Sequence, residues 1–401
     1  MSQDKTLLMV TVSGRDRPGI TAAFTKVMVA HGCEAVDIEQ ASLADLLGLY
    51  FLLDPGPDSP AQDSLIKDLL YEASRLDLKL EFKLVSPEQA HPVEHAALFV
   101  LTLFGGTRAL AALAGILAEE GVNIERIASA GHHGATSLEL VLNAGQAASP
   151  AGLKRRLMLA SRELGFDLAM QRMEAYRKNK RLVFFDMDST LVDMEVIDEM
   201  ARRAGKGREV ARITEKAMRG EFDFEESLIQ RVALLKGLKE DELKDIRDHL
   251  PLSPGVEELV TTLKWLGLKL GVVTGGFDYF ADHLKARLGL DYAFANRLEI
   301  KNGALTGRVP GQVLDAAQKA HIVNQTACDQ GILLDQVVVV GDGANDALML
   351  GQAGLGIAYN AKRALDRVAN VSLGRNSLTN LFHLLGITQE DVREALACRP
   401  A

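Results

Sequence analysis

Two short apolar runs constrain the fold of this chain more than any other feature. Leu182-Val183-Phe184-Phe185 and Val337-Val338-Val339-Val340 show no polar alternation. Each therefore reads as a strand buried on both faces, the condition of a parallel sheet covered by helices. The first run is followed by Asp186-Met187-Asp188-Ser189-Thr190 and the second by Gly341-Asp342-Gly343-Ala344-Asn345-Asp346. Open α/β sheets bind ligands beyond the carboxyl ends of their strands, which is where these carboxylates fall. A helix cap accounts for one such residue but not for a pair. A third run, Leu268–Val273, ends in Thr274-Gly275-Gly276, a hydroxyl and small residues suited to phosphate oxygens. Lys319 lies in the helical stretch Asp315–Asn324, where most lysines are solvated surface charges. Hard carboxylates gathered at a phosphate-handling site imply Mg²⁺.

Taken in order, these four segments match the four motifs of the haloacid dehalogenase-like hydrolases, and the chain resembles that family over about Arg181–Leu385. Glu195-Val196-Ile197-Asp198-Glu199, Met218, and Phe222-Asp223-Phe224-Glu225-Glu226-Ser227-Leu228 through Arg231-Val232 resemble the helical cap of the phosphoserine phosphatase family. The expected fold is a Rossmann-like parallel core over residues 182–390, with the cap inserted at about 193–253. The resemblance implies hydrolysis of O-phospho-L-serine, the last step of L-serine biosynthesis. It makes Asp186 the nucleophile that forms an aspartyl-phosphate, and Asp188 the general acid and then base. Thr274, the Gly275 amide and Lys319 stabilise the transferring phosphoryl group. Mg²⁺ is expected on Asp186, Asp342 and the backbone carbonyl of Asp188, with Asp346 close by, through a water or orienting Lys319. Glu195 is expected at the substrate ammonium, Arg231 at its carboxylate, and Asn345, Met218 and Phe224 around the substrate. One departure stands out: Thr274 replaces the usual Ser and keeps the hydroxyl.

The first 170 residues read as one architecture written twice. Strand Leu7–Val12, a helix through Ile20, Phe24 and Met28, and strands Ala35–Leu43 and Leu47–Leu53 come first. The turn Asp54–Pro60, a helix Ala61–Arg75 and a strand Leu78–Val85 follow. The elements return at Ala97–Phe104, Arg108–Glu120, Val122–Ala130, Thr136–Leu142, Pro150–Leu164 and Phe166–Met170. Thr11-Val12-Ser13-Gly14 aligns with Thr102-Leu103-Phe104-Gly105, and His31-Gly32 with Glu120-Gly121. Two βαββαβ units, expected at 5–86 and 95–172, are ferredoxin-like and resemble the ACT domain. That resemblance implies amino-acid binding, here L-serine near Gly14, Asp16 and Gly19, and pairing into a homodimer. Gln171–Arg181, with the linker proper at 173–181, carries Arg172, Arg177, Lys178, Lys180 and Arg181 against Glu174, and fits a solvated helix face.

Composition narrows the setting. The 401 residues carry 45 Lys+Arg and 54 Asp+Glu, a formal charge of −9, which argues against a coat for nucleic acid or for an anionic membrane. No apolar stretch approaches the ~18 residues of a membrane span, and Leu7–Val12 is too short for a secretory signal. Cys33, Cys328 and Cys398 form neither a disulfide framework nor a zinc pattern, so a reduced, cytoplasmic protein is expected. Two other functions stay open on the residues: another small phosphomonoester or a phosphotransfer to an alcohol, and an amino-acid sensor with a vestigial phosphatase domain.

Overall fold

The computed structural model describes residues 6–56, 59–86, 98–129, 137–145, 147, 149–173, 176–361, 365, 369–374 and 377–398. The expected domain starts at residues 5 and 95, and Pro57, Asp58, Ala97, Ala130, Thr136 and Glu174, lie outside them. Residues 1–93 and 94–401 form two compact units.

The first unit runs β1 (Leu7–Arg15), α1 (Ile20–Ala30), β2 (Glu34–Leu43), β3 (Leu46–Asp54), α2 (Ser59–Arg75) and β4 (Lys79–Val85). Its antiparallel sheet has the order β2-β3-β1-β4. Period-two alternation in β1 turns Leu8, Val10 and Val12 inward against Ile20, Phe24 and Met28 of α1 and Leu65, Leu69 and Ala73 of α2. Gly19, at φ 96°, makes the left-handed entry to α1.

The second unit opens on the other copy: β5 (Leu98–Phe104), α3 (Thr107–Glu119), β6 (Asn123–Ser129), β7 (Ser137–Asn143), α4 (Pro150–Leu164) and β8 (Asp167–Arg172). The helices of both copies close on an aligned glycine, Gly32 at φ 62° and Gly121 at φ 68°. The α/β domain follows in the same unit. It begins with β9 (Leu182–Phe185), then α5 (Val196–Arg203), α6 (Gly207–Met218), α7 (Phe224–Leu234) and α8 (Glu240–Asp248), the four helices of the cap. Next come α9 (Val256–Trp265), β10 (Lys269–Phe277), α10 (Asp278–Leu288), β11 (Tyr292–Asn296) and a hairpin of β12 (Ile300–Lys301) and β13 (Ala304–Leu305). The chain ends with α11 (Ala316–Asp329), β14 (Val337–Gly341), α12 (Ala347–Gln352), β15 (Leu355–Tyr359), β16 (Val371–Leu373), α13 (Asn380–Leu385) and α14 (Gln389–Ala397).

The two apolar runs of the sequence lie side by side: β9 pairs in parallel with both β14 and β10. All eight of their residues, Leu182–Phe185 and Val337–Val340, are fully buried. The sheet does not stop at the α/β domain. Its order is β11-β10-β9-β14-β15-β16-β8-β5-β7-β6, ten strands in which antiparallel pairing of β16 with β8 joins the core to the second copy. Ala169 of β8 and Phe104 of β5 pack into the α/β core with Val371, Leu381 and Leu385. The Phe104 ring meets His383 of α13 edge-on at 5.7 Å.

The connector corrects the expectation of a solvated helix face. Gln171 and Arg172 are the last residues of β8, and 176–181 is irregular chain. Arg177 is buried, and its Nη2 donates to Glu139 of β7 at 2.9 Å. The Lys180 ammonium donates to the carbonyl of Asp335. These charges are spent on internal joints because the segment crosses from one half of a continuous sheet to the other.

Candidate active site

Strand ends place the chemistry. Asp186 follows β9 directly, and its amide donates to the carbonyl of Val340, so the neighbouring strand fixes the loop. Ser189 takes φ 55°, and the Asp188 carboxylate accepts from the amide of Val196 at 2.9 Å, at the start of α5. Thr274 is 1% exposed, and its Oγ1 accepts from the Gly276 amide at 2.9 Å. The sequence places Thr274-Gly275-Gly276 beyond a strand; the structure makes it the end of β10, with a register break between Val273 and Phe277. Such irregularities re-aim backbone and side chains beside functional sites.

Lys319 departs most from an ordinary helix lysine. It is 1% exposed, and its ammonium donates to Asp186 Oδ1 and to Asp346 Oδ1, both at 2.8 Å. Burial opposes its charge, but Asp186 and Asp346 more than offset that and hold it protonated above its ordinary range. The second oxygen of Asp346 accepts from the Gly343 amide at 3.1 Å. Burial and the Asp186 charge push the Asp346 carboxyl up to about 6, with Lys319 opposing. Asp188 is raised well above the usual carboxylate range by burial, then by Glu195 and Asp186.

Three carboxylates, Asp186, Asp342 and Asp346, offer oxygens within 4.8 Å of one another. The Lys319 ammonium is shared between two of them, Asp186 and Asp346. A donor set made only of hard oxygens fits a hard divalent cation. The side chain of Asp188 is outside this cluster, tied instead to the cap by Val196.

Above the cluster lies a cavity of about 380 Å³. Asp186, Asp188, Asp342, Thr274, Gly275 and Asn345 line its strand end, and Glu195, Met218, Phe224 and Arg231 its cap end. Lys319 and Asp346 support it from below. A side chain at Gly275 would stand 2.7 Å from the Phe224 ring, so that glycine lets the cap aromatic close on the phosphate loop. The Arg231 Nε donates to the Ser227 carbonyl at 3.3 Å, and burial lowers its pKa while Asp198, Glu195 and Asp188 raise it. Ser189 Oγ donates to Glu195 at 3.1 Å. Phe222 is turned elsewhere, under the Lys216 ammonium.

Sequence reasoning gave no role to Asp198 and Thr214, which also line the cavity. The available signal was helical spacing, three residues after Glu195 and four before Met218. Of the residues expected to bind a regulatory ligand, Asp16 accepts from Ser42 at 2.9 Å and its amide donates to Asp45. Gly19 borders a groove of about 550 Å³ along α1 and α2, whereas Gly14 packs on Leu78. Neither Gly14 nor Asp16 lines that groove. Among the described residues no helix is long and apolar enough to cross a membrane.

Residues 180–354 match the haloacid dehalogenase-like hydrolase model, and 6–83 and 98–171 each match an ACT domain. A phosphoserine phosphatase of Streptomyces coelicolor is 38% identical over 98% of this chain and 95% of its own. One from Archaeoglobus fulgidus is 50% identical over 63% of this chain and 74% of its own. The crystal structure of a probable phosphoserine phosphatase from Vibrio cholerae superposes with a TM-score of 0.58 at 32% identity, covering 77% of this chain and 93% of its own. The chain belongs to the phosphoserine phosphatases of the haloacid dehalogenase-like hydrolases, in the form that carries two ACT domains.

Proposed function

We propose that the chain hydrolyses O-phospho-L-serine to L-serine and phosphate through a phosphate ester of Asp186, as the last step of L-serine biosynthesis. One observation carries the reading: a single cavity has paired carboxylates over a buried lysine at one end and Arg231 beside Glu195 at the other. That arrangement suits a phosphate joined by a short linker to a carboxylate and an ammonium.

Asp186, held by Lys319, attacks phosphorus in line, and the bond to the serine oxygen breaks. Serine is a poor leaving group as an alkoxide, so Asp188 donates a proton to it, then removes one from the water that cleaves the aspartyl-phosphate. Burial, then Glu195 and Asp186, support this role by raising the Asp188 carboxyl and so favouring its protonated form. Thr274, the Gly275 amide and Lys319 face the transferring oxygens. Asp186, Asp342 and the carbonyl of Asp188 would hold Mg²⁺, which neutralises charge on the phosphate and aligns it. Asp346 orients Lys319, to which it is hydrogen-bonded. Arg231 forks onto the substrate carboxylate, Glu195 accepts from its ammonium, and Asn345, Met218 and Phe224 enclose the rest. The setting is cytoplasmic, the assembly a homodimer through the ACT domains, and L-serine the regulatory ligand around Gly14, Asp16 and Gly19.

Phosphate release from O-phospho-L-serine, with and without Mg²⁺, tests the reading. Asp186→Asn should abolish turnover, and full activity in that variant would remove Asp186 as nucleophile. Calorimetry with L-serine tests the regulatory site, and absence of binding would discard it.

A further inference from the structure

The cap end of the cavity holds one charge more than recognition of a zwitterion requires. Among the described residues Arg231 is the only lysine or arginine lining it, and two carboxylates at the start of α5 face the same space, Glu195 and Asp198. Glu195 precedes the helix and Asp198 is its third residue, a spacing that sets both on one face. Glu195 is engaged by the Ser189 hydroxyl. The Asp198 carboxylate has no hydrogen bond or ion pair among the described residues. Arg231 has no ion pair there either, and its one side-chain hydrogen bond goes to the Ser227 carbonyl. Yet Asp198 is the strongest of the charges acting on Arg231, ahead of Glu195 and Asp188.

An uncommitted carboxylate beside an uncommitted guanidinium has a consequence for ligand choice. A carboxylate reaching Arg231 also approaches Asp198 and Glu195, and it is repelled unless the same molecule places a positive charge between them. We propose that Asp198 is a selectivity residue, acting against phosphomonoesters that carry a carboxylate without an ammonium. This rests on the phosphoserine reading and deepens it: Arg231 admits the carboxylate, and Asp198 makes the ammonium a condition of entry. Specificity of this kind comes from a repulsive element as much as from an attractive one. Its natural target is phosphoglycerate, which matches phosphoserine in shape but has a hydroxyl in place of the ammonium.

The test compares three substrates in the wild type, Asp198→Asn and Asp198→Glu. They are O-phospho-L-serine, 3-phosphoglycerate and O-phosphoethanolamine, the last carrying the ammonium without the carboxylate. In Asp198→Asn, kcat/KM is expected to fall about threefold for phosphoserine and for phosphoethanolamine and to rise about threefold for phosphoglycerate. The ratio of phosphoserine to phosphoglycerate then drops about tenfold, with most of the change in KM; tenfold corresponds to about 1.4 kcal/mol. Asp198→Glu, which restores the charge, should recover most of the ratio. A parallel loss on all three substrates, or an unchanged ratio, would overturn the proposal and leave Asp198 a helix-start residue. A wild type that turns over phosphoethanolamine or phosphoglycerate in preference to phosphoserine would instead defeat the phosphoserine reading itself.

Discussion

The two ACT copies share an architecture and differ in what covers their sheets. Met9 and Thr11 of the first align with Val100 and Thr102 of the second, all on the sheet face turned away from their own helices. Met9 is 43% exposed and Val100 is 1% exposed. Tyr50, across from Thr11, is 46% exposed, whereas its counterpart Glu139, across from Thr102, is closed over by Arg177. In the second copy the outer face meets α13 and the connector, and its β8 edge is extended by β16. One ACT domain is thus a compact unit by itself, and the other is structurally part of the phosphatase. An ACT domain annexed in this way shares a sheet, not merely a surface, with the catalytic domain.

Deletion should break this symmetry most strongly. Removing residues 1–93 is expected to leave 94–401 folded, with a melting midpoint within about 4 °C of the same transition in the full chain. Removing residues 1–172 strips β16 of its partner β8, leaving only β15 beside it, and uncovers Val371 and α13. That fragment should aggregate, or melt at least about 10 °C below the first; equal midpoints would sink the idea that the second copy belongs to the core. Point substitutions ask the same question locally. Val100→Asp buries an unpaired charge and should cost about 3 kcal/mol or more in denaturant unfolding, whereas Met9→Asp should stay within about 0.5 kcal/mol. Arg177→Ala leaves Glu139 under cover without a partner, and a loss of about 3 kcal/mol is expected.

A pH-dependent effect belongs to the first copy alone. Cys33 is buried there, and burial, then Asp54 and Glu34, push its thiol from 9.0 up to about 11. The folded state therefore favours the protonated thiol. Its contribution to stability is complete below pH 9 and is lost as pH rises through 11. Thermal melts between pH 8 and pH 11 should show a decline in the first unit that Cys33→Ser flattens; identical slopes would exclude the thiol as its cause.

Much of this was legible in the sequence, for identifiable reasons. Residues at strand ends carry their position with them: once Leu182–Phe185 and Val337–Val340 read as buried strands, Asp186, Asp188 and Asp342 had to meet at one rim. The cap residues were legible only through their family pattern. Lys319 too was legible only through the family pattern, because its partners Asp186 and Asp346 are distant in the chain and nothing in its own helix marks it as buried. The annexed sheet was missed for a related reason, since β8 and β16 are distant in sequence and neither is long. A signal did exist. It was slight: on the outward face Met9 and Thr11 are matched by Val100 and Thr102, and only Phe104 in place of Ser13 makes the second copy more apolar and in need of cover.

The junction of β16 with β8 also bears on how the molecule reaches its native state. Val371 pairs with Ala169, a contact between residues about 200 positions apart, so closing it carries the entropy of a very long loop. Until β16 is set beside β15, the second copy presents β8 as an open edge, a template for pairing with another chain. The order of events then matters during synthesis. The second ACT domain emerges first and waits with that edge bare until nearly the whole catalytic domain has been made. Its last strand to be capped is also the point where a newly made chain is most exposed to misassembly.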